Sequence, residues 1–125
     1  MNSLENVGKP QLDSFSVHVT PPAAVQLVGM IAIPDPARVL GVFFAAMHEA
    51  VTNDGLREVT VDVRKLTFVN SSAIRLFVDW ATWVRNQEPD SYVIRFRTDR
   101  RITWQRTSFS VLQSLAPNAI VIDSE

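Results

Sequence analysis

Ser71 and Ser72 are the residues of this chain best placed to do chemistry. They follow an apolar, strand-like run and open a long helical pattern. At the start of a helix the first backbone N–H groups have no intrahelical acceptor, and the helix dipole turns its positive end to the same spot. A phosphate on a hydroxyl there would be held by those donors. It would also add a charge of about −1.5 to −2 to the surrounding surface, enough to repel an acidic or apolar partner. Without that chemistry, Asn70, Ser71 and Ser72 are simply a polar helix cap.

Catalysis finds less support. Neither serine sits in a Gly-x-Ser-x-Gly elbow, and four scattered glycines form no phosphate-binding loop. His18 and His48 are the only histidines, and neither has metal-ligand spacing to another histidine or a carboxylate; cysteine is absent. Of the acids, Asp35 reads as a helix cap and Asp62 as a strand residue, with no paired carboxylate for either. His48-Glu49 reads as helix surface. The expectation is a non-enzyme with no cofactor and no metal.

Arg95, Arg97, Arg100, Arg101 and Arg106, with Phe96 and Trp104 among them, have the composition of a single-strand nucleic-acid groove. The whole chain nevertheless carries 12 basic against 13 acidic residues, a net charge of −1. That balance favours a solvated edge neutralised by nearby acids, or a charged partner surface, over nucleic acid or an anionic membrane.

The elements that must position the serines follow from periodicity. Phe15, Val17 and Val19 alternate with polar residues, and Val25 to Ile33 is a second β-rich run after Pro21-Pro22, so the two form a hairpin or adjacent strands. Asp35-Pro36 opens a helix carrying Val39, Leu40, Phe43, Met47, Ala50 and Val51, and Asn53-Asp54-Gly55 ends it. Val59, Val61 and Val63 alternate as a third strand, Leu66 to Val69 follows, and a helix runs from the serines to about Gln87. Its core stripe is Ile74, Phe77, Val78, Ala81 and Val84. A second apolar stripe, Leu76, Trp80 and Trp83, either packs under a neighbouring helix or anchors a partner or a second copy. A fourth strand around Tyr92 to Phe96, a helix over Thr103 to Leu115 and a short strand over Ala119 to Ile122 complete the order ββαβαβαβ. One helix between the third and fourth strands makes a parallel βαβ unit, hence an α/β layer packing.

Residues 1–13 are polar and aperiodic and read as a flexible N-terminal tail, leaving 14–125 as the domain. The opening residues lack a basic region followed by an apolar one, and no apolar window reaches the ~18 residues of a membrane span. The expected location is the cytoplasm, without membrane contact.

The stretch from Val59 to Leu76, with Asn70-Ser71-Ser72-Ala73 at its turn, resembles the signature of STAS domains. That family includes bacterial anti-sigma-factor antagonists and the cytoplasmic tails of sulfate transporters. The signature is an apolar strand, a short turn, and Asp-Ser-Ser/Thr-Gly-Leu opening a helix; here Asn70 stands in place of Asp and Ala73 in place of Gly. The element order over residues 15 to 122 is similar to the family's as well. The Asn-Ser-Ser-Ala variant, with the Trp104-to-Pro117 region, resembles a subgroup of stand-alone bacterial regulators.

The resemblance implies a single STAS-like α/β domain, a mixed sheet of about five strands with helices mainly on one face. It implies a regulator of transcription that binds an anti-sigma factor or related serine kinase or phosphatase through Asn70, Ser71, Ser72, Ala73, Arg75 and Leu76. Ser72 matches the second serine of the motif and would be the phosphorylated residue, with Ser71 as the fallback. Two other readings stay open: a phosphorylation-independent scaffold subunit of a signalling assembly, and a small-ligand-binding module.

Overall fold

The computed structural model describes residues 7–8, 11–12, 14–20 and 23–125. In chain order the elements are β1 (Gln11–Leu12), β2 (Phe15–Thr20), β3 (Ala24–Ile31), α1 (Leu40–Asn53), β4 (Glu58–Val69), α2 (Ser71–Asn86), β5 (Val93–Thr98), α3 (Thr103–Leu115) and β6 (Ile120–Ser124). They form one mixed sheet in the order β1-β2-β3-β4-β5-β6. The first three strands pair antiparallel, and β3–β4, β4–β5 and β5–β6 pair parallel. Each parallel pair is bridged by one helix. When strands are added in sequence order by crossovers of the usual right hand, every bridging helix lies on the same face.

Burial follows that geometry. Val59, Val61 and Val63 of β4 are at most 1% exposed and share one core with Phe43, Phe44 and Met47 of α1, Trp80 and Ala81 of α2, and Phe109 and Leu112 of α3. Phe77 is the hub: its ring meets Phe44 at 4.9 Å, Phe109 at 5.5 Å and Phe96 at 6.0 Å, all edge-on. Ile74 is only partly buried, at the margin of this core. Trp80 lies fully under α1, stacked on Phe44, so it is a core residue and no partner anchor; Trp83 is half-buried.

The helix-free face carries ion pairs. Arg95 bridges Glu58 and Asp123, Arg97 meets Glu125 at 2.8 Å, and Arg64 joins Asp62 at 2.8 Å and Glu125 at 3.3 Å. Of the arginine-rich stretch, Arg95 and Arg97 are thus paired with acids on and beside neighbouring strands, and Arg101 with Asp99 in its own loop. Among the described residues no helix is long and apolar enough to cross a membrane.

Three local expectations change. Asp35 does not cap a helix: Pro36–Arg38 is a 3-10 turn closed by Val39 N–H on the Pro36 carbonyl, and α1 starts only at Leu40. No backbone N–H of the turn donates to the Asp35 carboxylate, so it makes no cap hydrogen bond. The third strand does not stop at Val63 but runs on through Val69, absorbing register shifts against β3 between Gln26 and Val28 and between Gly29 and Met30. The last strand begins one residue later and runs to Ser124. Most of residues 1–13 lie outside the described residues; within that stretch Val7 is buried and Gln11–Leu12 pair with β2.

The second register shift depends on Gly29, whose φ is +108°. A Cβ there would run into the carbonyl oxygen of Ser14, which accepts the Met30 N–H at 2.8 Å. Gly29→Ala should therefore lower unfolding free energy by roughly 2–4 kcal/mol. Gly55→Ala, at φ +64° with open space around it, should cost only about 1 kcal/mol. Urea unfolding of both variants checks the contrast, and equal losses would disprove the steric account.

Candidate functional site

Asn70 fixes the turn between β4 and α2. Its Oδ1 accepts the Ala73 N–H at 2.9 Å, and its Nδ2 donates to the Ile33 carbonyl at 2.9 Å. Its backbone N–H donates to Ile31 at 2.9 Å, and its carbonyl accepts from Ala73 and Ile74. One residue thus caps α2 and ties it to the segment leaving β3. The expected cap is present, and the bond to Ile33 is an addition that sequence reasoning missed.

The strand leading into this turn is held from both sides. β3 pairs with β4 as far as Val69, but β5 pairs only with Glu58 to Asp62. Beyond that point α3 supplies the donors. The Gln105 side chain, fully buried, donates to the Val63 carbonyl and, at 2.9 Å, to the Leu66 carbonyl, while its Oε1 accepts the Asp99 N–H. The Trp104 indole donates to Thr67 at 2.9 Å. Burial works against the Asp62 carboxylate, but the Arg64 hydrogen bonds and charge outweigh it and keep its pKa below the ordinary value.

With the frame fixed, Ser71 and Ser72 stand exposed in the first turn of α2. Neither hydroxyl makes a hydrogen bond among the described residues. Ser72, Arg75, Leu76 and Asp79 form one wall of a groove of about 300 Å³, whose other wall is Pro34, Asp35, Pro36 and Ala37. Arg75 is exposed and forms no ion pair among the described residues. Leu76 is half-buried, its side chain placed where a Cβ on Gly41 of α1 would touch it. Of the six residues expected on the docking surface, Ala73 has no exposed area: it faces the core, and its share in the turn is the N–H it gives to Asn70. The far wall carries no motif and was not legible in the sequence. Met30 and Phe68, paired in register two residues before Asn70, are 45% and 46% exposed. They leave two large apolar side chains on the sheet beside the turn.

Neither histidine stands by the serines, and among the described residues no carboxylate is hydrogen-bonded to them. His18 contacts Ser16, and His48 contacts Tyr92 and Gln87. Among the described residues no group of three or more histidines, cysteines or carboxylates could hold a metal ion. The arrangement suits recognition: a stiff helix start, free hydroxyls, an unpaired cation and a shallow groove.

No family model matches the chain, and no curated protein matches it. Among solved structures it is similar to the activator SiaC, in the crystal structure of the diguanylate cyclase SiaD in complex with SiaC from Pseudomonas aeruginosa. The TM-score is 0.69 at 15% identity, over 93% of this chain and 96% of that one. At that identity the likeness speaks to fold, and the fold is STAS-like.

Asn70 must donate and accept at once, which an aspartate cannot do when ionised. Asn70→Asp would keep the cap to Ala73 but set a carboxylate oxygen against the Ile33 carbonyl. The variant should lose about 1–2 kcal/mol at neutral pH. That repulsion raises the folded-state pKa of the new carboxyl, so the deficit should shrink as pH falls and the protonated acid regains a donor. Urea midpoints at neutral pH and at about pH 4 test this, and a variant as stable as the parent at both would refute the role given to the amide.

Proposed function

We propose that this chain is a regulatory protein-interaction module that docks on a signalling protein through the Asn70–Ser72 turn and the first turns of α2. Ser72 is its phosphorylation switch and Ser71 the alternative acceptor. The observation that carries this reading is the free Ser72 hydroxyl, exposed on a helix start that Asn70 already caps. The fold has no use for it, so modification changes the surface without dismantling the turn. A phosphate there would meet the N–H groups at the helix start, with Arg75 three residues on as a cationic neighbour. Asn70, Ser71, Arg75 and Leu76 would contact the partner, with Ala73 shaping the turn from beneath.

The motif resemblance points to an anti-sigma factor or related serine kinase or phosphatase as the partner. A second reading draws on the similar structure: SiaC is an activator of a diguanylate cyclase, which supports a module that binds a signalling enzyme, and a scaffold subunit would do so without phosphorylation. Both place the function in binding, and neither gives the chain a reaction of its own.

Ser72→Ala and Ser72→Asp separate the readings. As baits in lysate of the source cells, Ser72→Ala should retain the partner that the parent captures, because the hydroxyl contributes little to docking. Ser72→Asp should lose it by about tenfold or more, a difference of ~1.4 kcal/mol or greater. Neither change should cost more than ~1–2 kcal/mol of stability. Phosphopeptide mass spectrometry of the parent should find the modification at Ser72 or Ser71. Equal capture by both variants with no phosphate on either serine removes the switch and leaves the scaffold reading.

A further inference from the structure

The other end of α2 is tied to α1 by a relay of hydrogen bonds that ends on His48. The Trp80 indole N–H donates to the Tyr92 hydroxyl oxygen at 2.7 Å, and that oxygen lies 2.8 Å from His48 Nδ1. Trp80 and Tyr92 are buried, at 1% and 3% exposure, and His48 is half-buried. Since the Tyr92 oxygen already accepts from Trp80, its own hydrogen needs an acceptor, and among the described residues His48 Nδ1 is the one within reach. Tyr92 therefore donates to Nδ1, and the imidazole hydrogen sits on Nε2. The Gln87 side-chain amide nitrogen lies 3.1 Å from Nε2, and turning the amide end for end brings its oxygen there to accept that hydrogen.

A proton on Nδ1 breaks the sequence. Three hydrogens then converge on one phenol oxygen, and the Tyr92 hydroxyl is left in the interior without an acceptor. The proton has a way in, because a groove of about 370 Å³ lined by Ala45, His48, Trp83 and Asn86 opens over the ring. No charge compensates. From α2 the ring faces Trp83 and Gln87, and from the segment before β5 it faces Tyr92, which burial keeps protonated. Glu49 on its own helix, and Glu88 and Asp90 in the following turn, are exposed, and none forms an ion pair with it. The Trp83 and Tyr92 rings, each 5.7 Å away, would favour the cation, but neither supplies an acceptor for the Tyr92 hydroxyl.

We propose that this relay is a proton-sensitive latch: protonating His48 releases the C-terminal end of α2 and the Tyr92 segment from α1. Burial lowers the His48 pKa below the ordinary 6.5, in the direction the geometry requires. The folded chain then binds this proton less readily than the unfolded chain. The latch's contribution is complete above about pH 6.5 and is lost as pH falls below it.

Urea unfolding at about pH 7.5 and about pH 5.5, on the parent and on His48→Asn, reads this out. Asparagine keeps an acceptor near the position of Nδ1 but does not titrate. The folded-to-unfolded ratio of the parent should drop by up to about tenfold per pH unit below about 6.5, and that of His48→Asn should stay nearly level. In the parent, the protection of the Trp80 indole N–H, taken relative to its intrinsic exchange rate at each pH, should fall over the same range. Parallel losses in the two proteins would overturn the latch. If His48→Asn does not fold, the NMR titration of the His48 ring decides, because a midpoint at or above 6.5 overturns the latch and one below it upholds it.

Discussion

Past Asp62 the central strand has no strand on its α3 side, and its carbonyls there must find donors elsewhere in the fold. An unpaired carbonyl in the interior costs about 1–3 kcal/mol, so the end of β4 would fray without them. Gln105 answers for Val63 and Leu66, Trp104 for Thr67, and β3 holds the other side as far as Val69. The chain therefore arrives at Asn70 in a defined position. There Asn70 passes that order on, gripping Ile31 and Ile33 with its donors and α2 with its acceptors.

This arrangement separates support from recognition. Everything that holds the turn lies beneath it or behind it, in backbone groups and in Asn70, Trp104 and Gln105. What remains outside is two serine hydroxyls, the Arg75 guanidinium and a groove wall shaped by Pro34 to Ala37. The helix-free face is organised differently. Its arginines and carboxylates neutralise one another across β4, β5 and β6, and exposed pairs of that kind add little to stability. Their effect is to keep a broad sheet face well hydrated and to discourage face-to-face association.

What could be read from the sequence was whatever depends on neighbours along the chain. The alternation of Val59, Val61 and Val63, the helical stripe after Ser72 and the polar break at Asn70 are local patterns, and the parallel βαβ order follows from them. What could not be read depends on residues far apart. Gln105 looks like an ordinary helical glutamine until Val63 and Leu66 arrive from about forty positions earlier to meet it. Gly29 gives no turn signal, since its positive φ answers a bulge against β4 and the closeness of Ser14. His48 reads as helix surface because Tyr92 and Gln87, which remove it from solvent, come from the far side of α2. Asp35 failed in the opposite sense: it is a good cap by local rules, but the chain after it forms a short 3-10 turn in which its carboxylate accepts no backbone hydrogen bond.

The two ends of α2 are held by different chemistry. At the serine end the grips are an amide, a second amide and an indole, none of which gains or loses a proton near neutral pH. Asp62, on the strand beneath them, has its pKa kept below the ordinary value by Arg64 despite burial. At the far end the grip passes through an imidazole, the one side chain whose ordinary pKa lies close to neutrality. A fall in pH thus loosens the hydrogen-bonded hold on α2 at one end only. The Ser72 surface stays set by bonds that do not titrate, while the α1–α2 seam beyond Trp80 depends on a group that does. The hold on the serine end and the hold through His48 can therefore vary independently, although both act on the same helix.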